Sequence, residues 1–385
     1  MRKQRLYPLG KAKGGKELSR VNLILGIQGG KKMEKRLSLS FVSMVIGLFC
    51  LLCTFNAPAS GEETIKLSFA NFFPASHYTN TEQFPLWIKE IEQASGGRIK
   101  ITNYPGQTLL EAPEIYEGVV RGTADLGHGS TGYSRGRFVA TEASELPGIE
   151  FGSATTNSVV AWEAYKKFKP AEFSDVKVMY LMAVGPGFLY SKKPVRSLDD
   201  LKGMRIRATG PTATAIKALG AVPVAMTMPE VYESLSKGII DGQIAPPEVL
   251  KAWRQAEVTN YITVIPPVYA SVQYTVMNLG KWKLLPEDVK KAIEQVNENF
   301  VVKAGKIWDS QQKGSIDWAV KTHGMKVLRL SPEENAKCMT VLQPLKDDYI
   351  ARASAKGLPG KEILDFVIER AAIYSKQFPS PLADY

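Results

Sequence analysis

The stretch DLKGMRIRATG, residues 200–210, decides how the rest of this sequence is interpreted. Arg205 and Arg207 occupy alternate positions, and the residues beside them are apolar. Because successive side chains of a strand lie on opposite faces, one face of this strand is apolar and the other carries two guanidinium groups. Pro211 suits the first turn of a following helix, and Gly220 suits the position just past its end. The stretch therefore predicts a strand, a tight turn and a helix.

Arg207 is the arginine nearer to the carboxyl end of this strand. In open α/β sheets, ligands bind outside the carboxyl ends of the strands, and the N-terminus of the next helix also favours an anion. A guanidinium there can hold a carboxylate by two parallel hydrogen bonds. A structural salt bridge to Asp199 or Asp200 is the alternative, and position alone does not decide between the two.

Outward from this stretch, strand and helix patterns alternate over most of the chain. Residues 64–73 and 98–102 are predicted strands on either side of a helical segment, and the alternation continues to about residue 270. Such alternation predicts an α/β fold with mostly parallel sheets. From Pro286 the periodicity is that of one long helix, of a kind that often bridges domains, and two more helices are predicted near 332–355 and 359–375.

Two segments of the chain resemble one another. EIYEGVVRGTADLG, residues 114–127, aligns at a constant offset with EVYESLSKGIIDGQ, residues 230–243. Each segment is predicted to form a helix stopped by a glycine and then a short strand. Coincidence within a common helix–glycine–strand unit would explain the match. We favour two lobes of related construction, whose loops at 127–132 and 243–248 face each other.

Residues 33–59 have the layout of a secretory signal peptide, with two basic residues, an apolar run and a small-residue end at Ala57-Pro58-Ala59. A transmembrane anchor is the alternative, but the strongly apolar part, 41–55, is shorter than the roughly 20 residues that cross a bilayer. We predict cleavage after Ala59 and export to the periplasm. Residues 1–32 are then an over-called translation start or a basic extension.

The positive charge of the chain is concentrated in its first 59 residues. The formal net charge is +11 over all 385 residues, but residues 60–385 hold 38 basic and 36 acidic side chains. This near balance argues against a nucleic-acid partner. Of the three cysteines, only Cys338 follows residue 59, so the predicted mature chain forms no internal disulfide.

Two short motifs suggest enzymes. GYSRG at 132–136 fits the hydrolase pattern G-x-S-x-G with Ser134 as nucleophile, but it lacks a convincing strand before it and a helix after it, and the natural base, His323, lies near the end of the long helix. GHGSTG at 127–132 fits a dinucleotide fingerprint without the helix that should follow. The histidines and Cys338 show no recognised metal spacing. We expect no cofactor and no metal, and a periplasmic serine hydrolase stays an alternative.

Three long segments resemble the solute-binding proteins of tripartite ATP-independent periplasmic (TRAP) transporters, the DctP-type family. They are KKPVRSLDDLKGMRIRATG at 192–210, ALGAVPVAMTMPEVYESLSKGIIDG at 218–242 and SGGRIKITNYPGQTLLEAPEIYEGVVRGTADLG at 95–127. The resemblance runs from about residue 64 to about residue 320. It implies an α/β, two-lobed periplasmic binding-protein fold, type II-like, with hinge strands and a long bridging helix.

The resemblance also implies how the chain is divided and what it does. Lobe I is expected at 60–184 and 273–312, and lobe II at 185–272 and 313–385 with the C-terminal helices. Arg207 matches the arginine that binds the ligand carboxylate in this family. The family's receptors deliver their ligand to integral membrane subunits without chemistry on it, so those subunits are the expected partners. We expect a monomer.

Other family positions differ in this sequence and predict an apolar side of the cleft. Phe188 stands where a polar or cationic contact is common, Met228 where an aromatic is common, and Ala245 where asparagine is usual. Packing in an ordinary core is the alternative for each. Together with neighbours and with four first-lobe residues at strand ends, the candidate contacts besides Arg207 are Phe188, Met228, Gly187, Ala245, Pro246, Phe72, Phe73, His77 and Ser130.

These residues together predict a class of ligand. One cation beside an apolar wall favours a monocarboxylate with an apolar or aromatic body over a sialic-acid-like sugar acid. Arg135 or Arg137 could supply a second cation from lobe I. A binding protein that serves another kind of transporter, or a sensor, is the alternative within the same class of function.

Overall fold

The computed structural model describes residues 64–385. Residues 1–32 and the predicted signal peptide at 33–59 lie outside this range. Within it, the chain forms two β-sheets with helices packed around them, which confirms the predicted two-lobed α/β architecture.

The strands are β1 (Ile65–Asn71), β2 (Ile99–Tyr104), β3 (Leu126–Ser130), β4 (Val176–Val184), β5 (Phe188–Ser191), β6 (Arg205–Arg207), β7 (Val222–Val224), β8 (Gly242–Ala245), β9 (Tyr261–Val264), β10 (Ser271–Asn278) and β11 (Lys326–Arg329). The helices are α1 (Phe84–Ala94), α2 (Ile115–Val120), α3 (Ala154–Phe168), α4 (Leu198–Leu201), α5 (Gly210–Ala218), α6 (Val231–Ser236), α7 (Val249–Ala252), α8 (Leu279–Leu284), α9 (Glu287–His323), α10 (Pro332–Leu342), α11 (Pro344–Ala355) and α12 (Gly360–Gln377).

The first lobe is built on a sheet with the strand order β2-β1-β3-β10-β4. β1 is parallel to both β2 and β3. β4, with the sequence VKVMYLMAV, is buried along nearly its whole length because α3 and α9 pack on it. Such a continuous apolar run is typical of a strand covered by helices.

The second lobe is built on a sheet with the strand order β11-β9-β5-β8-β6-β7. β6 lies between β7 and β8 and is parallel to both. Ile206 is fully buried in the core of this lobe, and α5 begins at Gly210 with Pro211 in its first turn. The stretch at 200–210 therefore forms the predicted strand, turn and helix.

The expectation of mostly parallel sheets is wrong for two central strands. β10 is antiparallel to β3 and β4, and β5 is antiparallel to β8 and β9. The chain passes from the first sheet to the second through 185–187, and it returns through 265–270. Each of these strands thus enters its sheet from the other lobe by a short connection, so it runs against its neighbours.

α9 connects the lobes a third time, as the long helix predicted from Pro286. It packs on α1, α3 and β4 of the first lobe and on α7 of the second, and β11 then joins the second sheet. Asp309 of α9 accepts the backbone N–H groups of Ala154 and Thr155 at 2.8 and 3.0 Å. This carboxylate satisfies N–H groups at the start of α3, where a helix favours negative charge.

The C-terminal helices divide between the lobes. α10 packs against α4 and α5, whereas α11 and α12 form an apolar cluster with the first-lobe residues that precede and form α3. The segment expected as part of lobe II, 313–385, therefore contributes to both. The single helix predicted at 332–355 is two helices, because Pro344 has no N–H to continue the first one and begins the next.

The two similar segments have the same local structure. A short 3-10 turn, Ala112–Glu114, leads into α2 and then β3, and Met228–Glu230 leads into α6 and then β8 at matching positions. The helices are followed by Gly122 and Gly238, whose φ angles are 79° and 71°. A left-handed φ of this kind favours glycine, which explains why both segments have it there.

Candidate ligand-binding site

A cavity lies where the carboxyl ends of β1 and β3 in the first lobe meet those of β6 and β8 in the second. The empty space in the cavity and at its mouth, open solvent included, is ≈ 360 Å³. Both lobes and the bridging helix α9 contribute to its lining, which consists of Phe72, Phe73, Ser130, Tyr133, Val184, Arg207, Thr209, Met228, Pro246, Glu248, Trp253, Tyr269, Ser271, Gln273 and Trp308.

Arg207 is the basic side chain of this lining, and only 2% of the residue is exposed. Its Nε donates to the carbonyl oxygen of Met226 at 3.1 Å, and the ion pairs formed within residues 64–385 do not include it. Asp199 pairs with Lys202 at 2.7 Å, and Asp200 caps α4. The structure therefore lacks the alternative salt bridge, and a buried guanidinium faces the cavity without a carboxylate partner.

Arg205 has a different environment at the other end of β6. It is exposed, pairs with Asp241 at 2.8 Å and donates to the carbonyl oxygen of Gly238 at 2.7 Å. The two arginines of this short strand therefore have different surroundings: Arg205 is in an exposed ion pair, whereas Arg207 lies at the carboxyl end of β6, where the lobes meet.

Aromatic rings from the loop after β1, from the second lobe and from α9 form one wall of the cavity. Phe72 stacks on Phe73 with ring centroids 4.2 Å apart, and Phe72 meets Tyr133 at 5.4 Å. Phe73 lies 5.9 Å from Trp253 and 6.1 Å from Trp308. A cleft with such walls and a few fixed polar groups suits a ligand with a flat apolar body.

Tyr133 links the lobes at the edge of the cavity. Its hydroxyl accepts the backbone N–H of Met228 at 3.1 Å. Burial raises the pKa of this phenol, and the nearby charge of Arg207 lowers it by less. The first lobe therefore touches the second next to the predicted carboxylate contact.

Gln273 offers a second donor to the cavity, and His128 fixes its orientation. Burial lowers the pKa of His128 to about 4, so the ring is neutral and has a single N–H. Its Nε2 donates to Oε1 of Gln273 at 2.7 Å, while Nδ1 accepts from the hydroxyl of Thr275 at 2.8 Å. The amide nitrogen of Gln273 has no partner among the described residues, and Gln273 lines the cavity.

Glu145 is a buried carboxyl at the contact between the lobes. One of its oxygens, Oε1, accepts the hydroxyl of Thr131 at 2.8 Å and the backbone N–H of Val272 at 2.5 Å. A Cβ added to Gly210, at the start of α5, would lie 3.3 Å from its other oxygen. Burial raises the pKa of Glu145 to about 8.

Six of the ten predicted contacts lie together in the cavity lining: Arg207, Met228, Pro246, Phe72, Phe73 and Ser130. Four lie outside it. Phe188 and Ala245 pair across β5 and β8 in the interior, and a Cβ on Gly187 would lie 2.7 Å from the ring of Tyr269. Gly187 thus makes room for Tyr269, which does line the cavity. His77 is fully buried and contacts Glu248, which lines it.

Several lining residues were not predicted, among them Tyr133, Glu248, Trp253, Tyr269, Gln273 and Trp308. A signal existed for Glu248, because the loop 243–248 was expected to face the loop 127–132 of the other lobe. Trp308 lies in the middle of α9, where the helical periodicity gives no sign of a ligand. Gln273 is one polar residue of a buried strand, and only the pairing of β10 with β3 shows which way it faces.

The residues of the competing hypotheses lie elsewhere. Arg137 pairs with Glu117 and Asp175, and Arg135 borders a separate groove between the lobes. Ser134 follows a 3-10 turn, and within residues 64–385 no histidine hydrogen-bonds to it. The dinucleotide-like GHGSTG forms β3 and that turn, with no α-helix directly after it. No group of three or more potential metal ligands occurs in this part of the chain.

The fold and the cavity define a class of protein: a two-lobed receptor that encloses a small solute between its lobes. Residues 69–352 match the family model for bacterial extracellular solute-binding proteins, family 7 (DctP). The chain belongs to this family, whose members are periplasmic receptors that bring organic acids to the membrane subunits of TRAP transporters. In the range that the structure describes, no helix has the length and apolarity needed to cross a membrane.

Three similar proteins are informative. A TRAP periplasmic solute-binding protein from Desulfovibrio salexigens is 35% identical, with 80% of this chain and 96% of that chain covered and a TM-score of 0.71. A marine metagenome TRAP protein specific for aromatic acid ligands, solved with metahydroxyphenylacetate, is 28% identical, with 80% and 99% covered and a TM-score of 0.76. The C4-dicarboxylate-binding periplasmic protein DctP of Rhodobacter capsulatus is 26% identical over 69% of this chain and 80% of its own.

Proposed function

We propose that this TRAP receptor captures a monocarboxylate with an apolar or aromatic body. The observation that carries the proposal is the charge of the cavity. Among the described residues, Arg207 is the one Lys or Arg side chain of the lining, and it has no carboxylate partner. A single guanidinium can bind one carboxylate by two parallel hydrogen bonds.

The rest of the lining supports the same ligand class. The amide nitrogen of Gln273 provides a further donor for the carboxylate, and the rings around Phe73 provide apolar surface for the body. The similar marine protein, which is specific for aromatic acids, is consistent with this assignment. Arg135 and Arg137 lie outside the lining, which argues against a second cationic clamp.

A C4-dicarboxylate is the second candidate, because the similar protein from Rhodobacter capsulatus is named for that ligand. A second carboxylate would enter a cavity with one basic side chain, and an unpaired buried anion is costly. The balance of charge therefore favours the monocarboxylate.

The two lobes provide a way to capture the acid and to deliver it to the membrane subunits. Ligand binding closes the cleft about the crossing segments 185–187 and 265–270, and the closed receptor presents a changed surface to the membrane subunits.

Residues 33–59 direct export of the chain as a cleaved signal peptide in this proposal. N-terminal sequencing of the exported protein should find Ser60 first, and a chain that keeps residues 33–59 would contradict this part.

A thermal-shift screen tests the ligand class, because a ligand that binds only the folded state raises its melting temperature. The panel holds benzoate, phenylacetate and mandelate, with succinate, malate and glucuronate as the competing classes. At about 100 times the dissociation constant, the right acid adds about 2.7 kcal/mol to the free energy of unfolding. The proposal fails if only dicarboxylates or sugar acids stabilise the protein.

A further inference from the structure

The contact between His77 and Glu248 joins the two lobes beside the cavity. His77 follows β1 of the first lobe and Glu248 follows β8 of the second. Nε2 of His77 lies 3.1 Å from Oε2 of Glu248, and both residues are almost completely buried.

The hydrogen bonds of His77 fix which group donates. The backbone N–H of Thr79 donates to Nδ1 at 3.2 Å, so Nδ1 acts as an acceptor. The ring proton must then be on Nε2, which donates to Oε2 of Glu248. One oxygen of the Glu248 carboxyl group is therefore already satisfied by the first lobe.

The other oxygen of the Glu248 carboxyl group, Oε1, is not held by the first lobe. It has no hydrogen-bond partner among residues 64–385, although Glu248 is buried and lines the same cavity as Arg207. Glu248 forms its polar contact with His77 and not with Arg207. Because Glu248 lines the cavity, a ligand group can donate a hydrogen bond to this oxygen.

Ring contacts connect the surroundings of Arg207 to those of Glu248. Tyr133, next to Arg207, meets Phe72, which stacks on Phe73. Phe73 in turn lies 4.6 Å from the ring of His77, which holds Glu248. Within residues 64–385 Arg207 and Glu248 form no ion pair, so the guanidinium and the carboxyl group are separate polar groups of one cavity lining.

We propose that Glu248 selects ligands that carry a hydrogen-bond donor, a hydroxyl or an ammonium group, on the part of the molecule away from the carboxylate. The inference rests on the proposed function, in which Arg207 holds that carboxylate. Because sites built to bind a polar group reject analogues that lack it, an acid with the donor should bind about 10- to 100-fold more tightly than its parent.

The test is calorimetric titration with phenylacetate and three matched series of its derivatives. These are its ring-hydroxylated, ring-methoxylated and ring-aminomethylated forms, each prepared at all three ring positions. The methoxy acids keep an acceptor but have no donor. We expect at least one hydroxyl or aminomethyl acid to bind 10-fold or more tightly than phenylacetate, and no methoxy acid to do so. Tighter binding of the hydroxyl acid identifies a hydroxylated ligand, and tighter binding of the aminomethyl acid identifies a zwitterion.

Glu248→Gln is the informative variant, because its carbonyl can accept from His77 while its amide turns a donor toward the ligand. The donor preference should fall below threefold, or reverse toward the methoxy acid. Glu257→Gln is the matched control: this carboxylate of the same lobe binds Tyr232 and Arg254, lies outside the cavity lining, and should keep the preference.

The outcomes separate the two claims. If the acids bind the wild type without preference for a donor, or if Glu248→Gln keeps the preference, the inference about Glu248 is wrong and the proposed function stands. If no acid of any series binds and the wider screen finds only dicarboxylates or sugar acids, both are wrong. The comparison of acids on the wild type decides the matter even if Glu248→Gln does not fold.

Discussion

At the scale of single residues, Gln273 shows how one buried side chain prepares another for a ligand. A free glutamine amide can turn either end toward a cavity. Here the N–H of the neutral His128 ring donates to the carbonyl oxygen, so the amide nitrogen keeps its N–H groups for the cavity that Gln273 lines. The site thus presents fixed donors before any ligand arrives, which reduces the cost of ordering them on binding.

Gln273→Leu tests this role. It removes a donor to a charged group, which is worth about 1.5–3 kcal/mol, so affinity for the acid found by screening should fall about 10- to 150-fold. Ser271→Ala is the control, because the Ser271 hydroxyl already pairs with Ser130 at 3.2 Å, and it should change affinity less than threefold. Calorimetric titration of both folded variants measures the difference. Equal losses would mean that Gln273 is only part of the wall.

Glu145 provides a prediction on pH. Its pKa is about 8 in the folded protein and 4.5 without the fold, so the fold binds the proton more tightly. The stability from this group is fully present below about pH 4.5 and is lost as pH rises to about 8. Gln at this position keeps a carbonyl for Thr131 and Val272 but cannot titrate.

As the pH rises from 5 to 8, the free energy of unfolding of Glu145→Gln should therefore increase relative to that of the wild type. The change should be on the order of 4 kcal/mol, at about 1.4 kcal/mol per pKa unit. Urea unfolding at several pH values measures it, with Glu257→Gln as a carboxylate outside the lobe contact. If the wild type and Glu145→Gln lose stability in parallel over this range, Glu145 is ionised in the fold.

At the scale of elements, two glycines of α9 differ in how closely the bridging helix packs against its neighbours. A Cβ on Gly305 would lie 2.5 Å from the backbone Cα of Thr155, whereas nothing lies within 4 Å of one on Gly314. Alanine is favoured over glycine inside a helix by about 1 kcal/mol. Substitution of glycine by alanine should therefore lower the stability of the protein at position 305 and raise it at position 314.

Gly305→Ala should destabilise the protein by about 1–3 kcal/mol, because the backbone of α3 cannot move aside without cost. Gly314→Ala should stabilise it by about 0.5–1 kcal/mol. Thermal or urea unfolding measures both. A Gly305→Ala protein as stable as the wild type would show that α9 does not approach α3 as closely as the structure has it.

Elements whose evidence is local could be predicted from the sequence. The strand, turn and helix at 200–210, the long helix after Pro286 and the two similar segments all depend on spacing within one stretch of chain. The antiparallel direction of β5 and β10 could not be predicted, because it depends on strands that cross between lobes. The division of the C-terminal helices likewise depends on distant packing against α3.

At the scale of the whole molecule, the candidate site lies where the two lobes meet. Arg207, Met228 and Glu248 come from the second lobe, Phe73 and Gln273 belong to the first-lobe sheet and its loops, and Trp308 lies on the bridging helix. The strand-end residues could be predicted from the sequence because each lies at or just after the end of a recognisable strand. Trp308 and Gln273 could not be predicted, because their place in the cavity depends on how whole elements pack.

Arg207 is the proposed carboxylate contact on which the proposed function depends, and calorimetric titration of Arg207 variants with the ligand tests this role most directly. With the acid found by screening, Arg207→Ala should lose about 2–5 kcal/mol of binding free energy, or about 30-fold to several thousand-fold in affinity. Arg207→Lys should also bind poorly, because an ammonium lacks the flat two-pronged fork of the guanidinium. Arg205→Ala, which breaks the exposed pair with Asp241 at the far end of β6, should change affinity little. Binding by Arg207→Ala within threefold of the wild type, with the protein folded, would contradict the account.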